Sequence, residues 1–295
     1  MKINRKLVFT VLKIALTFVL LYVVFSNIPL NDVWRILKQS NPILLFLALI
    51  SFILSQFVSA NRLLVLFKWS GFEIDSKKNY ILYLVGMFYN FFIPGGIGGD
   101  AYKIYILNKE YQWPIKKLTS VVFIDRLMGL IAIGILIIIF CWFIPFFTTE
   151  NLIWLLIVLL VIGLVSSYFF IKWLFPSFLG ITIKSILKSI LIQLLQCICI
   201  VLLLSSISET DDYFKYVIAF LLSSVLSIFS FSGIGIREMI LFQASTLLVF
   251  DSVKAVTIGL LFSILTAFVS LFGIYFHFNN TKIKSSKKLN AVCNK

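Results

Sequence analysis

Residues 80–107 read YILYLVGMFYNFFIPGGIGGDAYKIYIL, and this stretch decides the fold. Two apolar pieces, Tyr80–Ile93 and Ala101–Leu107, flank a glycine-rich break that ends in Asp100. A helix needs ~20 apolar residues to cross a bilayer, and neither piece is that long. Backbone groups released by a break inside a membrane must be satisfied by protein or by a wet cavity. The segment therefore either crosses as two short pieces or enters and leaves the membrane on one side.

A second segment of the same kind occurs later in the chain. The apolar run Tyr213–Ser232 leads into the sequence GIGIRE at 233–238, and the short apolar stretch Met239–Phe250 follows. The sequence FIPGGIG at 92–98 aligns with FSFSGIG at 229–235. Paired broken segments in corresponding positions of two halves indicate a transport site near the membrane midplane.

The rest of the chain is apolar enough to place it in a membrane. Of 295 residues, 61% are hydrophobic and 13% are charged, whereas soluble domains carry about 25% charged residues. Further long apolar runs are Leu7–Phe25, Ile43–Phe67, Leu118–Phe143, Leu152–Phe175, Ile186–Ser206 and Val256–Phe278. The predicted fold is an all-α polytopic membrane protein. It has about six full spans plus two glycine-interrupted re-entrant segments, or about eight spans if every run crosses.

The net charge of +14 discriminates between these topologies, because lysine and arginine collect in cytoplasmic loops. With re-entrant segments and a cytoplasmic N-terminus, the basic residues that fall outside are Arg35, Lys38, Lys215 and Lys254. If every run crossed, the basic stretches 103–117 and 172–188 would face outward. The charge bias favours the re-entrant architecture, in which both termini are cytoplasmic and the second half is inverted relative to the first.

We expect a single integral membrane domain over residues 1–280, with halves of about 1–145 and 151–280. The basic tail 281–295 is expected to be cytoplasmic and disordered. The basic charge lies in short loops rather than in a soluble module, so nucleic acid is not an expected partner.

The sequence contains no constellation of residues that predicts a metal site, a cofactor or a catalytic centre. The only histidine is His277, and no cysteine stands at metal-ligand spacing from another ligand. No nucleophile–base set or phosphate-binding loop is present. We therefore expect no catalytic residues, no metal and no cofactor.

The candidate binding residues cluster at the two glycine breaks and in the span after the first break. They are Gly95, Gly96, Gly98, Gly99, Asp100, Asp125, Arg126, Gly233, Gly235, Arg237 and Glu238. Half-helices that start after Gly98–Gly99 or Gly235 would aim free N–H groups at an anion. Arg126 and Arg237 suit bidentate contact with phosphate.

The carboxylates at these breaks have two interpretations. Asp100 and Glu238 would orient the arginines, or bind an amine or a proton. In the alternative, the glycines only permit close helix packing, and Asp125 or Glu238 forms a buried structural ion pair with Arg237.

Three motifs resemble a known family. The sequences FIPGGIGGDAYK at 92–103 and VFIDRLMGL at 122–130 resemble the membrane region of lysylphosphatidylglycerol synthases. That region also exists as stand-alone, flippase-like proteins. The sequence SGIGIRE at 232–238 resembles the family's later Gly-x-Gly-x-Arg-Glu motif, with Phe231-Ser232-Gly233 where Pro-Gly-Gly often stands. The resemblance covers nearly the whole chain.

The resemblance implies a lipid carrier of the cell membrane. In full-length synthases a cytoplasmic domain makes an aminoacyl lipid and the membrane region moves it between leaflets. This chain ends soon after Phe278, so we expect it to lack the synthase domain. The implied function is to move or bind an anionic phospholipid or a polyprenyl-phosphate-linked headgroup, with Arg126 and Arg237 on the phosphate.

Two alternatives accompany the carrier hypothesis. The protein would otherwise be a component or accessory of a lipid-linked glycosyl or aminoacyl transfer system, with Asp100 as the catalytic candidate, or a scaffold for envelope synthesis. A separate synthase or transferase protein and a second copy of the chain are the possible protein partners.

Overall fold

The computed structural model describes residues 22, 30–92, 97–149, 152–209, 211–227 and 235–293. Within these ranges the chain is helical and contains no strand, which confirms the predicted all-α class. The α-helices are α1 (Leu30–Gln39), α2 (Pro42–Trp69), α3 (Ser76–Phe92), α4 (Gly98–Tyr111), α5 (Ile115–Cys141), α6 (Pro145–Thr149), α7 (Leu152–Leu174), α8 (Thr182–Ser206), α9 (Tyr213–Leu226), α10 (Ile236–Leu248) and α11 (Ser252–Cys293). A 3₁₀ turn, Pro176–Ile181, leads into α8.

Five of the described helices are long and apolar enough to cross a membrane: α2, α5, α7, α8 with its preceding turn, and α11 up to Phe276. This confirms a multi-pass membrane protein. In the most apolar 18 residues of α7, only 6% are buried within the protein, so most of the surface of this helix suits contact with lipid. The predicted first span, Leu7–Phe25, lies outside the described residues apart from Tyr22.

α2 and α8 lie antiparallel and form the centre of the bundle. The side chain of Asn41 caps α2 by accepting from Ile43 N at 2.9 Å. Ser51 then donates to the carbonyl of Leu195 across the interface at 2.7 Å. Small residues and interhelical hydrogen bonds hold helices together in lipid, where burial of apolar surface supplies no driving force.

α3 and α4 form a hairpin whose outer ends lie together. Lys78 Nζ is 2.7 Å from Glu110 Oε2 at these ends. Near the turn the backbones approach so closely that a Cβ at Gly99 would lie 2.6 Å from the carbonyl carbon of Gly86. Two glycines therefore permit this helix contact, which any larger residue would prevent.

α9 and α10 form a second hairpin, which opens at the opposite end of the bundle. Lys215 Nζ donates to the carbonyl of Val249 at 3.2 Å, and Tyr216 Oη donates to that of Asp251 at 3.4 Å. The first hairpin follows the C-terminal end of α2, and the second follows the C-terminal end of α8. Since α2 and α8 are antiparallel, the two hairpins enter the bundle from opposite ends.

α11 packs against α3 and continues far beyond the predicted last span. A Cβ at Gly273 would lie 2.9 Å from the carbonyl carbon of Leu84, so the two helices are in close contact. The helical backbone runs to Cys293. Lysine is a good helix former, and extending an existing helix requires no new nucleus.

Candidate functional site

A polar cavity of about 290 Å³ lies where the two hairpins meet α2, α5, α8 and α11. Arg126 on α5 and Arg237 on α10 both line it. Its other polar walls include Gln56, Asn90, Gln196 and Ser224. The structure therefore brings together the two arginines that sequence analysis selected, although they are far apart in the chain.

Arg237 projects from the first turn of α10 and is 6% exposed. Its Nη1 donates to Ser263 Oγ at 2.9 Å, and its Cζ lies 4.9 Å from the ring centroid of Phe262. Its Nε is buried and has no hydrogen-bond partner among the residues that the structure describes. Leaving a buried donor unsatisfied costs about 1–3 kcal/mol, and more for a charged group, so this atom favours binding of an acceptor.

Glu238, the next residue, is fully buried and caps its own helix. Its Oε2 accepts from Gly235 N at 2.6 Å, and its Oε1 accepts from Ser263 Oγ at 3.1 Å. Gly235 has φ +85°, a conformation that glycine adopts without strain. No direct ion pair joins Glu238 to Arg237 among the described contacts; the hydroxyl of Ser263 bridges the two side chains instead.

Asp100 lies in the first turn of α4 and is held between two cations. Its Oδ1 is 3.2 Å from Lys103 Nζ, and its Oδ2 accepts a hydrogen bond from Arg126 Nε. Lys103 is only 6% exposed, whereas the side chain of Arg126 is 33% exposed. The cluster of Asp100, Lys103 and Arg126 therefore carries one net positive charge, and Arg126 presents it to the cavity.

Asp125 does not join the cavity, although it precedes Arg126 in the chain. It accepts two hydrogen bonds from Arg62 on α2, Nε to Oδ1 at 2.7 Å and Nη2 to Oδ2 at 3.0 Å. The remaining guanidinium nitrogen of Arg62, Nη1, donates to Ser189 Oγ at 2.6 Å. The alternative in which Asp125 pairs with Arg237 is therefore wrong, because Arg62 binds both carboxylate oxygens.

Sequence analysis missed the roles of Arg62 and Lys103. Arg62 lies near the end of the apolar run Ile43–Phe67, where a long side chain can reach water, but it is 7% exposed. One signal was available, since neighbours on a helix point about 100° apart and cannot both face one cavity. Adjacent Asp125 and Arg126 therefore required a second partner on another helix.

The glycines selected from the sequence divide into two groups. Gly98 begins α4, Gly99 packs on Gly86, and Gly235 precedes α10. The N–H of Gly99 donates to Asn90 Oδ1 at 2.8 Å, so part of this helix terminus is already satisfied. Gly95, Gly96 and Gly233 lie outside the described residues.

An apolar groove of about 250 Å³ opens beside the polar cavity, between α2, α3 and α11. Phe57, Tyr80 and Phe272 are among its walls. Gln56 and Tyr83 line both the groove and the cavity, so the two spaces share a boundary. The polar cavity, which Arg126 and Arg237 line, is therefore adjacent to a groove with apolar walls.

The chain is similar to known membrane proteins. The profile of the lysylphosphatidylglycerol synthase TM region matches residues 10–273, which is nearly the whole chain. The UPF0104 membrane protein MJ1595 of Methanocaldococcus jannaschii is 27% identical over 114 residues. That match spans 38% of this chain and 34% of the relative, so the chain matches about a third of the relative's length. From the extent of the profile match, the chain belongs to the family of the lysylphosphatidylglycerol synthase transmembrane region.

Proposed function

We propose that the protein binds the anionic headgroup of a lipid between its two hairpins and moves that lipid between leaflets. The supporting observation is that Arg126 and Arg237, one from each half of the chain, line a single cavity of about 290 Å³. Arginine presents a planar set of donors that matches phosphate, and it stays charged when it is buried.

The charge balance around the cavity supports an anionic ligand. Asp100 compensates only one of its two basic neighbours, Lys103 and Arg126. Arg237 and Glu238 balance each other in charge, although Glu238 uses its oxygens on Gly235 and Ser263. The net charge of these five side chains is therefore +1, and a phosphodiester, which carries one negative charge, would neutralise it.

The apolar groove supports a lipid rather than a soluble anion. A lipid with its phosphate near Arg126 and Arg237 could place a chain along Phe57 and Phe272. An acyl chain can leave the bilayer for this groove at little cost because both surroundings are apolar, whereas a soluble phosphate has no part that would occupy the groove.

The hairpin helices support a re-entrant arrangement. α3, α4, α9 and α10 have 17, 14, 14 and 13 residues, all shorter than the ~20 that a full span needs. Hairpins that enter from opposite ends are expected of inverted halves, in which a central site opens to each side in turn.

The distribution of charge supports a cell-membrane protein with a cytoplasmic basic end. The end at which the first hairpin opens carries Lys77, Lys78, Lys109, Lys116 and Lys117. The opposite end carries Glu209, Asp211 and Asp212. By the positive-inside rule the lysine-rich end faces the cytoplasm.

The competing enzymatic hypothesis requires Asp100 to act on a substrate. Both of its carboxylate oxygens already contact cations, Lys103 and Arg126, so neither is available as it stands to accept a substrate proton. The carrier hypothesis needs no proton-accepting carboxylate, and it requires only that Arg126 and Arg237 line the cavity, as they do.

A flipping assay tests the carrier proposal. Proteoliposomes containing a fluorescent phosphatidylglycerol would report the rate at which the label becomes accessible to an impermeant quencher. We expect Arg237→Gln to slow this rate by roughly tenfold to a hundredfold, since a hydrogen bond to a charged group is worth about 1.5–3 kcal/mol. Arg237→Lys keeps the charge and is expected to retain part of the rate.

The matched control is Arg35→Gln, because Arg35 is an exposed arginine on α1. It removes the same charge outside the cavity and should leave the rate unchanged. Equal rates in wild type, Arg237→Gln and protein-free vesicles would refute the carrier proposal.

A further inference from the structure

We infer that the lipid reaches the polar cavity sideways from the leaflet at the lysine-rich end, through the apolar groove between α2, α3 and α11, and that Tyr83 and Gln56 form a gate between the groove and the cavity. This inference rests on the proposed function, since it assigns the route by which that site is loaded. It applies to any headgroup that the cavity accepts.

The groove lies in the lysine-rich half of the bundle, whereas the cavity lies near the middle. The cavity meets α2 at Phe52 and Gln56, close to the midpoint of this helix, and the groove meets it at Phe57 and Ala60. Ala60 precedes Trp69, the last residue of α2, by nine residues, which is about 14 Å at 1.5 Å per residue. A chain in the groove therefore lies at the depth of the acyl chains of the leaflet at that end.

The groove opens to the surrounding lipid. Two of its walls, Phe57 on α2 and Phe272 on α11, are 52% and 51% exposed. Both belong to helices that are long and apolar enough to cross the membrane, so hydrocarbon is the solvent that these side chains face. An acyl chain can enter the groove without leaving an apolar environment, and its headgroup then moves only as far as the adjacent cavity.

The boundary between the two spaces is formed by Tyr83 and Gln56, which line both of them. Tyr83 Oη donates to Gln56 Oε1 at 3.5 Å, which is long for a hydrogen bond and therefore weak. Because this contact is weak, the two side chains can separate at little cost and let a headgroup pass into the cavity.

Lys103 connects this gate to the residues that attract the headgroup. Its Nζ lies 4.7 Å from the centroid of the Tyr83 ring, a cation–π contact that fixes the position of the ring. The same Nζ is 3.2 Å from Asp100 Oδ1, and Asp100 accepts a hydrogen bond from Arg126 at the cavity. The gate therefore contacts the cluster that holds Arg126 in place.

The corresponding passage in the second half of the chain can be located by a constant offset. The aligned sequences begin at residues 92 and 229, so they are 137 residues apart. The same offset maps the first residues of α3 and α5, Ser76 and Ile115, onto the first residues of α9 and α11, Tyr213 and Ser252. It maps the α3 walls of the groove, Tyr80, Tyr83 and Leu84, onto Val217, Phe220 and Leu221.

The passage in the second half is closed. Its three α9 residues are 3%, 0% and 0% exposed, whereas all three groove walls on α3 are partly exposed. The ring of Phe220 lies 4.7 Å from that of Phe262, which in turn lies 5.4 Å from that of Phe52. Packed aromatic rings therefore fill the space that faces the other leaflet. A carrier with inverted halves that is open on one side and closed on the other is ready to load from the open side.

A plug in the groove tests this route. In the flipping assay with fluorescent phosphatidylglycerol, we expect Ala60→Trp to slow transfer about tenfold or more, because an indole and an acyl chain cannot share the groove without overpacking. The matched control is Gly134→Trp, since Gly134 lines a separate apolar groove between α5 and α7, where a Cβ would meet nothing within 4 Å. The control should transfer lipid at the wild-type rate.

Unfolding midpoints in sodium dodecyl sulfate verify that both tryptophan variants are folded. If the midpoint of Ala60→Trp falls, Ala60→Leu is a smaller plug that is expected to slow transfer in the same direction.

A second variant tests the gate. Tyr83→Phe removes the hydroxyl but keeps the ring beside Lys103. We expect transfer to accelerate about twofold to tenfold, the range that corresponds to one neutral hydrogen bond. The control is Tyr168→Phe, because Tyr168 is exposed on α7 and lines neither space. A rate for Tyr83→Phe equal to or below that of wild type overturns the gate.

The outcomes separate this inference from the proposed function. If the folded plug variant transfers lipid as fast as wild type while Arg237→Gln is slow, the carrier stands and the lateral route is overturned. If Ala60→Trp and Gly134→Trp slow transfer equally, bulk on the lipid-facing surface is responsible, and the route is overturned as well. If wild type does not exceed protein-free vesicles, the proposed function fails and this inference fails with it.

Discussion

The buried ion pair between Arg62 and Asp125 gives the sharpest prediction of stability. Arg62 lies on α2 and Asp125 on α5, and their side chains are 9% and 14% exposed. Two parallel hydrogen bonds of 2.7 and 3.0 Å join them, and a third of 2.6 Å joins Arg62 to Ser189. The pair therefore connects α2, α5 and α8 in the centre of the bundle.

Removing one member leaves the other as an uncompensated buried charge. We expect Arg62→Met or Asp125→Leu alone to lower the free energy of unfolding by about 3–5 kcal/mol. The double variant removes both charges, so it is expected to lose less than either single variant. Its residual loss of about 1 kcal/mol comes from the hydrogen bond to Ser189.

The assay is unfolding in mixed micelles by titration with sodium dodecyl sulfate, followed by far-ultraviolet circular dichroism. A double-mutant cycle isolates the coupling between the two side chains. We expect a coupling energy of several kcal/mol. If the losses of the single variants simply add in the double variant, the two residues are not coupled and the assignment of Asp125 to a structural pair is refuted.

Three further predictions concern packing, capping and topology. Gly99→Ala should destabilise the protein by about 1–3 kcal/mol because the new Cβ overlaps the backbone of the facing helix, whereas Gly134→Ala, with nothing within 4 Å, should be neutral or stabilise by about 0.5–1 kcal/mol; equal midpoints in the same titration would contradict this contrast. Glu238→Ala should cost about 1–3 kcal/mol by removing the cap of α10, and a melting temperature equal to that of wild type would refute the capping role. Cysteines at exposed Lys109 and Asp211 should react with an impermeant maleimide from the cytoplasmic and external sides respectively, and labelling of both from one side would reject the opposed hairpins.

The positions of the long helices could be predicted from the sequence alone. The run Ile43–Phe67 corresponds to Pro42–Trp69, and Leu152–Phe175 corresponds to Leu152–Leu174. These agreements arise because a span is defined by a local property, a run of apolar side chains about as long as the hydrocarbon layer is thick. The sequence also indicated the breaks, because glycine next to charge interrupts such a run and is visible without any partner.

Only the tertiary structure decided which charged side chains form ion pairs with each other. Asp125 and Arg126 are adjacent in the chain, yet one pairs with Arg62 and the other lines the cavity, because successive helical residues point in different directions. Glu238 could have paired with Arg237 but caps its own helix instead. Such partners depend on how helices rotate and cross, which is set by packing contacts between residues distant in the chain. Local hydropathy places a helix in the bilayer, but it does not fix the rotation that decides whether a buried charge becomes part of the scaffold or part of the site.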